Sequence, residues 1–185
     1  MKKGKLLVIS GPSGVGKDTI VHMFLEKHPN WHRPPSVTTR QSRAGEVEGL
    51  DYIFTDRPTF EKRVKAGEFL EWFEVTGNLY GTLRQPVERL LEEGKNVILR
   101  KEVNGALNIK KELSEAVTIF LALDNFGELH QRIQSRATDS QELIGQRLKL
   151  AKDELTYKKD FDHIIINPYN HPEKALAAVE RTVGL

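Results

Sequence analysis

Four short apolar runs punctuate the chain: KLLVIS, NVILR, VTIFLAL and HIIIN. Each is brief, rich in branched residues and hydrophobic on both alternating faces, which predicts strands buried on both sides. Between them lie helix-period segments: DTIVHMFLEKH, QPVERLLEEG, a stretch at 127–135 and a long helix over about 140–159. In the last of these, Leu143, Ile144, Leu148, Ala151 and Leu155 form one apolar stripe. Gly94, directly after LLEE, marks a helix C-terminus. Strand–helix alternation predicts an α/β fold, a parallel sheet flanked by helices on both sides.

Two segments depart from that alternation. Residues 34–83 are rich in Thr, Gly, Arg and aromatics with strand-like pieces such as DYIF, and they read as an inserted substrate-binding subdomain. Residues 127–155 hold two helical patterns joined at the polar SRATDS, a natural hinge for a lid. Loops and inserts of this length are uncommon unless they are functional. The core is then expected from 1–33, 84–126 and 156–185, within a single domain spanning 1–185.

Composition narrows the function classes. With 29% charged residues, 38% hydrophobic residues and a formal net charge of +2, the chain has the balance of a soluble globular protein. That balance gives no support for a nucleic-acid footprint. The chain has no cysteine, so thiolate catalysis and disulfides are excluded. Its first apolar run, Leu6 to Ile9, is too short for a signal-peptide core or membrane span, and a cytoplasmic address is expected. The six histidines show no metal-ligand spacing, and nothing in the sequence fixes an oligomeric state.

The chemistry begins at ISGPSGVGKDT. Gly11, Gly14, Gly16 and Lys17 follow a buried-strand pattern and precede a helix, the context a phosphate-binding loop needs. Backbone N–H groups of Gly11, Pro12, Ser13, Gly14, Val15 and Gly16 would surround phosphate oxygens wherever an N–H exists, with a helix N-terminus behind them. Lys17 would reach the outer phosphates. Asp18 stands where the strict pattern asks for a magnesium-binding hydroxyl, and Thr19 comes one residue late. Downstream, Arg40 and Arg43 with Tyr52 suit a phosphomonoester. Glu71 interrupts the apolar run GEFLEWF, so it is either a rim or salt-bridge residue or a carboxylate aimed at a donor pair such as guanine's N1–H and 2-amino group.

These stretches together carry a resemblance over essentially the full length. GPSGVGK, SVTTRQSRAGEVEGLDYIF, GEFLEWFEVTGNLYGT, GKNVIL with NGA, and RIQSRATDSQELIGQRL resemble the guanylate kinases. The resemblance implies a P-loop NTPase-type fold with an inserted GMP-binding subdomain and a helical lid. It also implies transfer of the ATP γ-phosphoryl group to GMP, and to dGMP as well, with Mg²⁺. Matched by motif position, Ser36, Glu71, Thr82 and Glu102 would read guanine, while Arg40, Arg43, Tyr52 and Tyr80 would hold the GMP phosphate. Lys17, Arg40, Arg136 and Arg147 would be the catalytic cations, and Arg136 with Asn167 would lie on the ATP side. The nearest enzyme alternative is a ribose 1,5-bisphosphate phosphokinase. From another class, the alternative is a non-catalytic guanylate-kinase-like binding module.

Two departures from the resembled pattern stand out. Asp18 replaces a serine, and Arg100 replaces the first acid of an acid-x-acid pair in Arg100-Lys101-Glu102. The charges change in opposite directions. We therefore expect Asp18 and Arg100 to face each other across the phosphate site, leaving Mg²⁺ held by nucleotide oxygens and water, or by Asp18 through a water.

Overall fold

The computed structural model describes residues 3–75, 77–134 and 141–185. Five strands form a parallel sheet in the order β2-β7-β1-β8-β9: β1 (Leu6–Ser10), β2 (Trp31–His32), β7 (Asn96–Arg100), β8 (Val117–Ala122) and β9 (His163–Ile166). Registers Val8↔Leu99, Val8↔Thr118 and Phe120↔Ile164 place the C-terminal ends of β1, β7, β8 and β9 along one edge. Ligands of such sheets bind at that edge.

Every residue of β1 is buried, so its apolar side chains feed both faces of the sheet. On one face Leu7 and Ile9 pack with Ile20, Val21 and Phe24 of α1 (Lys17–Lys27) and with Leu176 and Val179 of α7 (Pro172–Thr182). On the other, Leu6 and Val8 pack with Val87 and Leu91 of α3 (Arg84–Glu92) and Val103, Ala106 and Ile109 of α4 (Val103–Glu112). The strand expectation needs one correction. HIIIN forms an edge strand in which Ile165 is buried but Ile164 and Ile166, on the opposite face, are 48% and 40% exposed.

Residues 34–83 carry a second, four-stranded sheet, ordered β4-β3-β6-β5. It comprises β3 (Ser36–Thr38), β4 (Tyr52–Phe54), β5 (Phe69–Val75) and β6 (Asn78–Leu83), with α2 (Arg57–Lys65) covering it. Its core is small: Val37, Phe60, Phe69 and Leu79. Asp56 caps α2 by accepting from the Thr59 N–H at 2.7 Å. The edge strand β5 lies against α4, which joins this sheet to the main one.

The segment expected as a lid contains α5 (Phe126–Gln134) and α6 (Gln141–Leu155), packed through Leu129, Ile144 and Ala151 with Leu148 alongside. The long helix stops earlier than its periodicity suggests, turning into a 3₁₀ helix at Thr156–Asp160. Leu155 instead packs against the core under α4. Arg136 and the rest of 135–140, where the sequence predicts a hinge, lie outside the described residues, as does the side chain of Leu143. No described helix is long and apolar enough to cross a membrane.

Candidate functional site

The loop between β1 and α1 reverses over Gly11 to Gly16, and the Val15 N–H donates to the Pro12 carbonyl. Gly16 sits in the left-handed region at φ 98° and serves as the α1 N-cap. A Cβ there would stand 2.5 Å from the Asn167 Nδ2, so both conformation and space require glycine. Asn167 lies just past β9 and donates to the Val15 carbonyl at 2.8 Å. Arg132 of α5 also donates to Val15, at 3.2 Å, and to the Asn167 carbonyl at 3.0 Å. Two side chains thus brace the loop from behind.

Lys17 is buried, 6% exposed, and folds over its own loop, donating to the carbonyls of Gly11 and Pro12 at 2.5 and 3.2 Å. Glu102 stands 3.6 Å from its ammonium. The position expected to touch guanine therefore lies beside the loop lysine. Glu154 of α6 closes the group: it accepts from the Ser13 backbone N–H, and burial pushes its carboxyl up to about 7. Nearby Glu102 raises it further, and Lys17 opposes both.

Asp18 and Arg100 do meet. The Arg100 Nε lies 3.0 Å from the Asp18 carboxylate at the mouth of the cleft, where Asp18 is largely exposed. Both line a cavity of about 210 Å³ together with Ser36, Tyr52 and Lys101. Thr19 is exposed on α1, one position beyond.

Across the cleft, Arg40 grips Glu46 through both terminal guanidinium nitrogens, at 2.7 and 2.5 Å. Its guanidinium also stacks over Tyr52, 4.8 Å from the ring centroid. The Arg40 fork, with help from the Arg43 backbone N–H, holds the Glu46 carboxyl down at about 2, and Glu46 in turn raises Arg40. Tyr52 and Tyr80 stand edge to face at 6.3 Å. Arg43 is exposed, and its backbone N–H donates to Glu46. Arg40, Tyr52 and Tyr80, three of the four residues expected to hold a phosphomonoester, are thus gathered on β4, β6 and the loop after β3, with the Arg43 backbone tied to them through Glu46.

Glu71 is buried, 3% exposed, on β5. The Thr82 hydroxyl donates to its Oε1 at 2.6 Å, and Thr82 faces it in the β5–β6 register. Lys101, which sequence reasoning passed over, places its ammonium 3.0 Å from the same oxygen and 3.0 Å from the Ser36 hydroxyl. Both charges are desolvated, so removing either partner alone would leave an uncompensated buried ion at a cost of about 3–5 kcal/mol. The Glu71 Oε2 is buried with no protein partner among the described residues. Such an acceptor costs about 1–3 kcal/mol until something donates to it. The signal for Lys101 lay in its position directly after a buried strand. The signal for Glu154 lay in its spacing three residues past Ala151 on the buried stripe.

Arg147 is half-buried on α6. The described residues therefore bring together a phosphate loop, an arginine–tyrosine patch and a buried carboxylate with two hydroxyls. Asp18 after the loop, Tyr52 of the patch, and Ser36 and Lys101 beside the carboxylate line one cavity at the C-terminal end of β7.

A family model described as guanylate kinase matches residues 3–184. The chain is 46% identical over 183 residues to the guanylate kinase of Prochlorococcus marinus (strain MIT 9313), spanning 99% of this chain and 96% of that one. It is 39% identical over 184 residues to the guanylate kinase of Rubrobacter xylanophilus, with 99% and 96% covered. Among solved structures, guanylate kinase from Anaplasma phagocytophilum superposes with a TM-score of 0.77 at 30% identity, over 99% of this chain and 86% of that one. Shikimate kinase from Bacteroides thetaiotaomicron, at 12% identity and a TM-score of 0.53, shares the fold alone. On a match of this extent, the chain belongs to the guanylate kinase family.

Proposed function

We propose that the protein transfers the γ-phosphoryl group of ATP to GMP, giving ADP and GDP, with dGMP as a second acceptor. The observation that carries this reading is the pairing of two sites across one cleft. The loop ending in Lys17 takes the triphosphate, and the buried Glu71–Thr82 pair with half-buried Ser36 takes a base with donors on its edge. Guanine offers N1–H and a 2-amino group to a carboxylate, whereas adenine has an acceptor at N1. A ribose bisphosphate has no base to satisfy Glu71, and a binding module would have no use for the buried Lys17.

The GMP phosphate is itself an anionic nucleophile, so the protein's work is positioning and charge neutralisation. Arg40, already oriented by Glu46 and Tyr52, exchanges the carboxylate for phosphate oxygens, with Arg43, Tyr52 and Tyr80 beside it. Lys17 leaves its loop carbonyls for the outer ATP phosphates. Arg136 and Arg147 close over the transferring group, while Asn167 and the backbone from Gly11 to Thr19 hold the ATP side. Closure excludes water and suppresses idle ATP hydrolysis.

The residues at the loop fit Mg²⁺ as an ion held through water. The Asp18 carboxylate supplies the hard oxygen donors magnesium prefers, but Arg100 already occupies one of them. When bound with ATP, the ion neutralises phosphate charge.

A coupled assay offering GMP, dGMP, AMP and ribose 1,5-bisphosphate with ATP and Mg²⁺ tests the reading. GMP should exceed AMP by at least about a hundredfold, since a site built for hydrogen bonds rejects a substrate that cannot make them by roughly 10⁴. Turnover of the sugar phosphate in preference to GMP would overturn it.

A further inference from the structure

We infer that Lys101 is a specificity-determining residue of the acceptor site, reading the 6-oxo oxygen of the purine. This deepens the GMP-kinase reading and rests on it. Lys101 follows β7, and its backbone N–H donates to the Ile9 carbonyl at 3.0 Å, extending the parallel ladder by one residue and fixing where its side chain starts. From there the side chain crosses to the second sheet, where the ammonium lies 3.0 Å from both the Ser36 hydroxyl and the Glu71 Oε1. At 6% exposure it is as buried as the loop lysine, yet it also lines the cavity shared with Ser36, Tyr52 and Arg100.

An ammonium carries three donors. Ser36 accepts one and the Glu71 carboxylate lies 3.0 Å away, so among the described residues at least one N–H is left for the cavity. The Glu71 Oε1 accepts from Thr82 and lies 3.0 Å from the Lys101 ammonium, while Oε2 has no protein partner among the described residues. A guanine seated against Glu71 would therefore give its 2-amino group to the unpartnered Oε2 and its N1–H to the Oε1 side. The ring position next to N1–H is C6, which falls on the side of Glu71 where Lys101 stands. A 6-oxo group there accepts a charge-assisted bond, whereas the 6-amino group of adenine is a donor facing a cation. Neutralising Glu71 would need only an ammonium near the carboxylate. The simultaneous grip on Ser36 and the position on the cavity wall give Lys101 a second task, discrimination at C6. The 6-oxo purine nucleoside monophosphates, GMP and IMP, share the group it reads.

The test compares GMP with 6-thio-GMP, which keeps N1–H and the 2-amino group but replaces the 6-oxygen by a weakly accepting sulfur, and with IMP, which keeps the oxygen and lacks the amine. For the wild-type chain we expect kcat/KM for GMP to exceed that for 6-thio-GMP by about 10- to 100-fold, the span of one charge-assisted hydrogen bond. Lys101→Met should erase that preference and lower GMP and IMP turnover by equal factors. The paired variant Glu71→Gln/Lys101→Met leaves no unpaired buried charge, so it reads the same ratio should the single variant fail to fold. A GMP preference over 6-thio-GMP that survives in the variants, or is missing from the wild type, overturns the assignment of Lys101. Absence of GMP turnover in the wild type would instead overturn the GMP-kinase reading.

Discussion

A carboxylate directly after the loop lysine would repel a triphosphate if it stood alone, by an amount on the order of a kcal/mol at an exposed site. Asp18 does not stand alone, because Arg100 approaches it to 3.0 Å at the cleft mouth. Each replacement on its own should harm turnover for a different reason. Asp18→Ser leaves Arg100 unmatched, and Arg100→Asp sets two carboxylates side by side next to the nucleotide. Asp18→Ser/Arg100→Asp restores opposite roles to the two positions. We expect the double variant to exceed the product of the single effects on kcat/KM by about two- to fivefold, the coupling ordinary for an exposed ion pair. Strict multiplicativity would mean that the contact does not bear on phosphate handling. Because the pair is exposed, the coupling should also shrink in high salt.

At the level of elements, α4 sets the shape of the purine end. Gly105 lies in its first turn, and a Cβ there would stand 2.8 Å from the Glu71 Oε2. Gly105→Ala would ordinarily favour a helix by about 1 kcal/mol. Here it should instead push Glu71 away from Thr82 and Lys101, raising KM for GMP about tenfold or more while KM for ATP stays within about twofold; steady-state kinetics in both substrates would separate the two. This contact also shows what the sequence can and cannot disclose. The strands β1, β7 and β8 are legible because their apolar runs are buried on both faces. The phosphate loop is legible because its glycines and Lys17 must lie at fixed spacing between a strand and a helix. β9 misleads because an edge strand can be as apolar as a central one while exposing alternate side chains. α4 is obscured by Asn104 and Gly105, poor helix formers kept where the helix approaches β5. The Glu71–Lys101 pair is hidden for another reason: it joins the end of a strand in the main sheet to the edge strand of the second sheet, thirty positions apart in sequence. Neither local period nor motif spacing encodes such a contact, so the carboxylate was visible without its partner.

For the molecule as a whole, Glu154 ties the α5–α6 segment to the phosphate loop and makes stability depend on pH. Its carboxyl is raised from the ordinary 4.5 to about 7, chiefly by burial against the loop, so the folded chain holds its proton more tightly than the unfolded chain does. The resulting stabilisation is complete below about pH 4.5 and is lost as pH climbs towards 7. A shift of this size corresponds to about 3 kcal/mol between the two ends of the window. Glu154→Gln removes the titration while keeping an oxygen able to accept from the Ser13 N–H. Its melting temperature should match the wild type near pH 4 and exceed it at pH 8 by roughly 6–12 °C, at about 2–4 °C per kcal/mol for a chain of this size. Ordered phosphate on the loop should narrow that gap at pH 8 only if nucleotide draws Lys17 away and α6 moves with it, so the same melts with ATP added report whether Glu154 leaves the loop when the site fills. A difference between variant and wild type that stays constant from pH 4 to 8 would show that the carboxyl is not held in its protonated form by the fold.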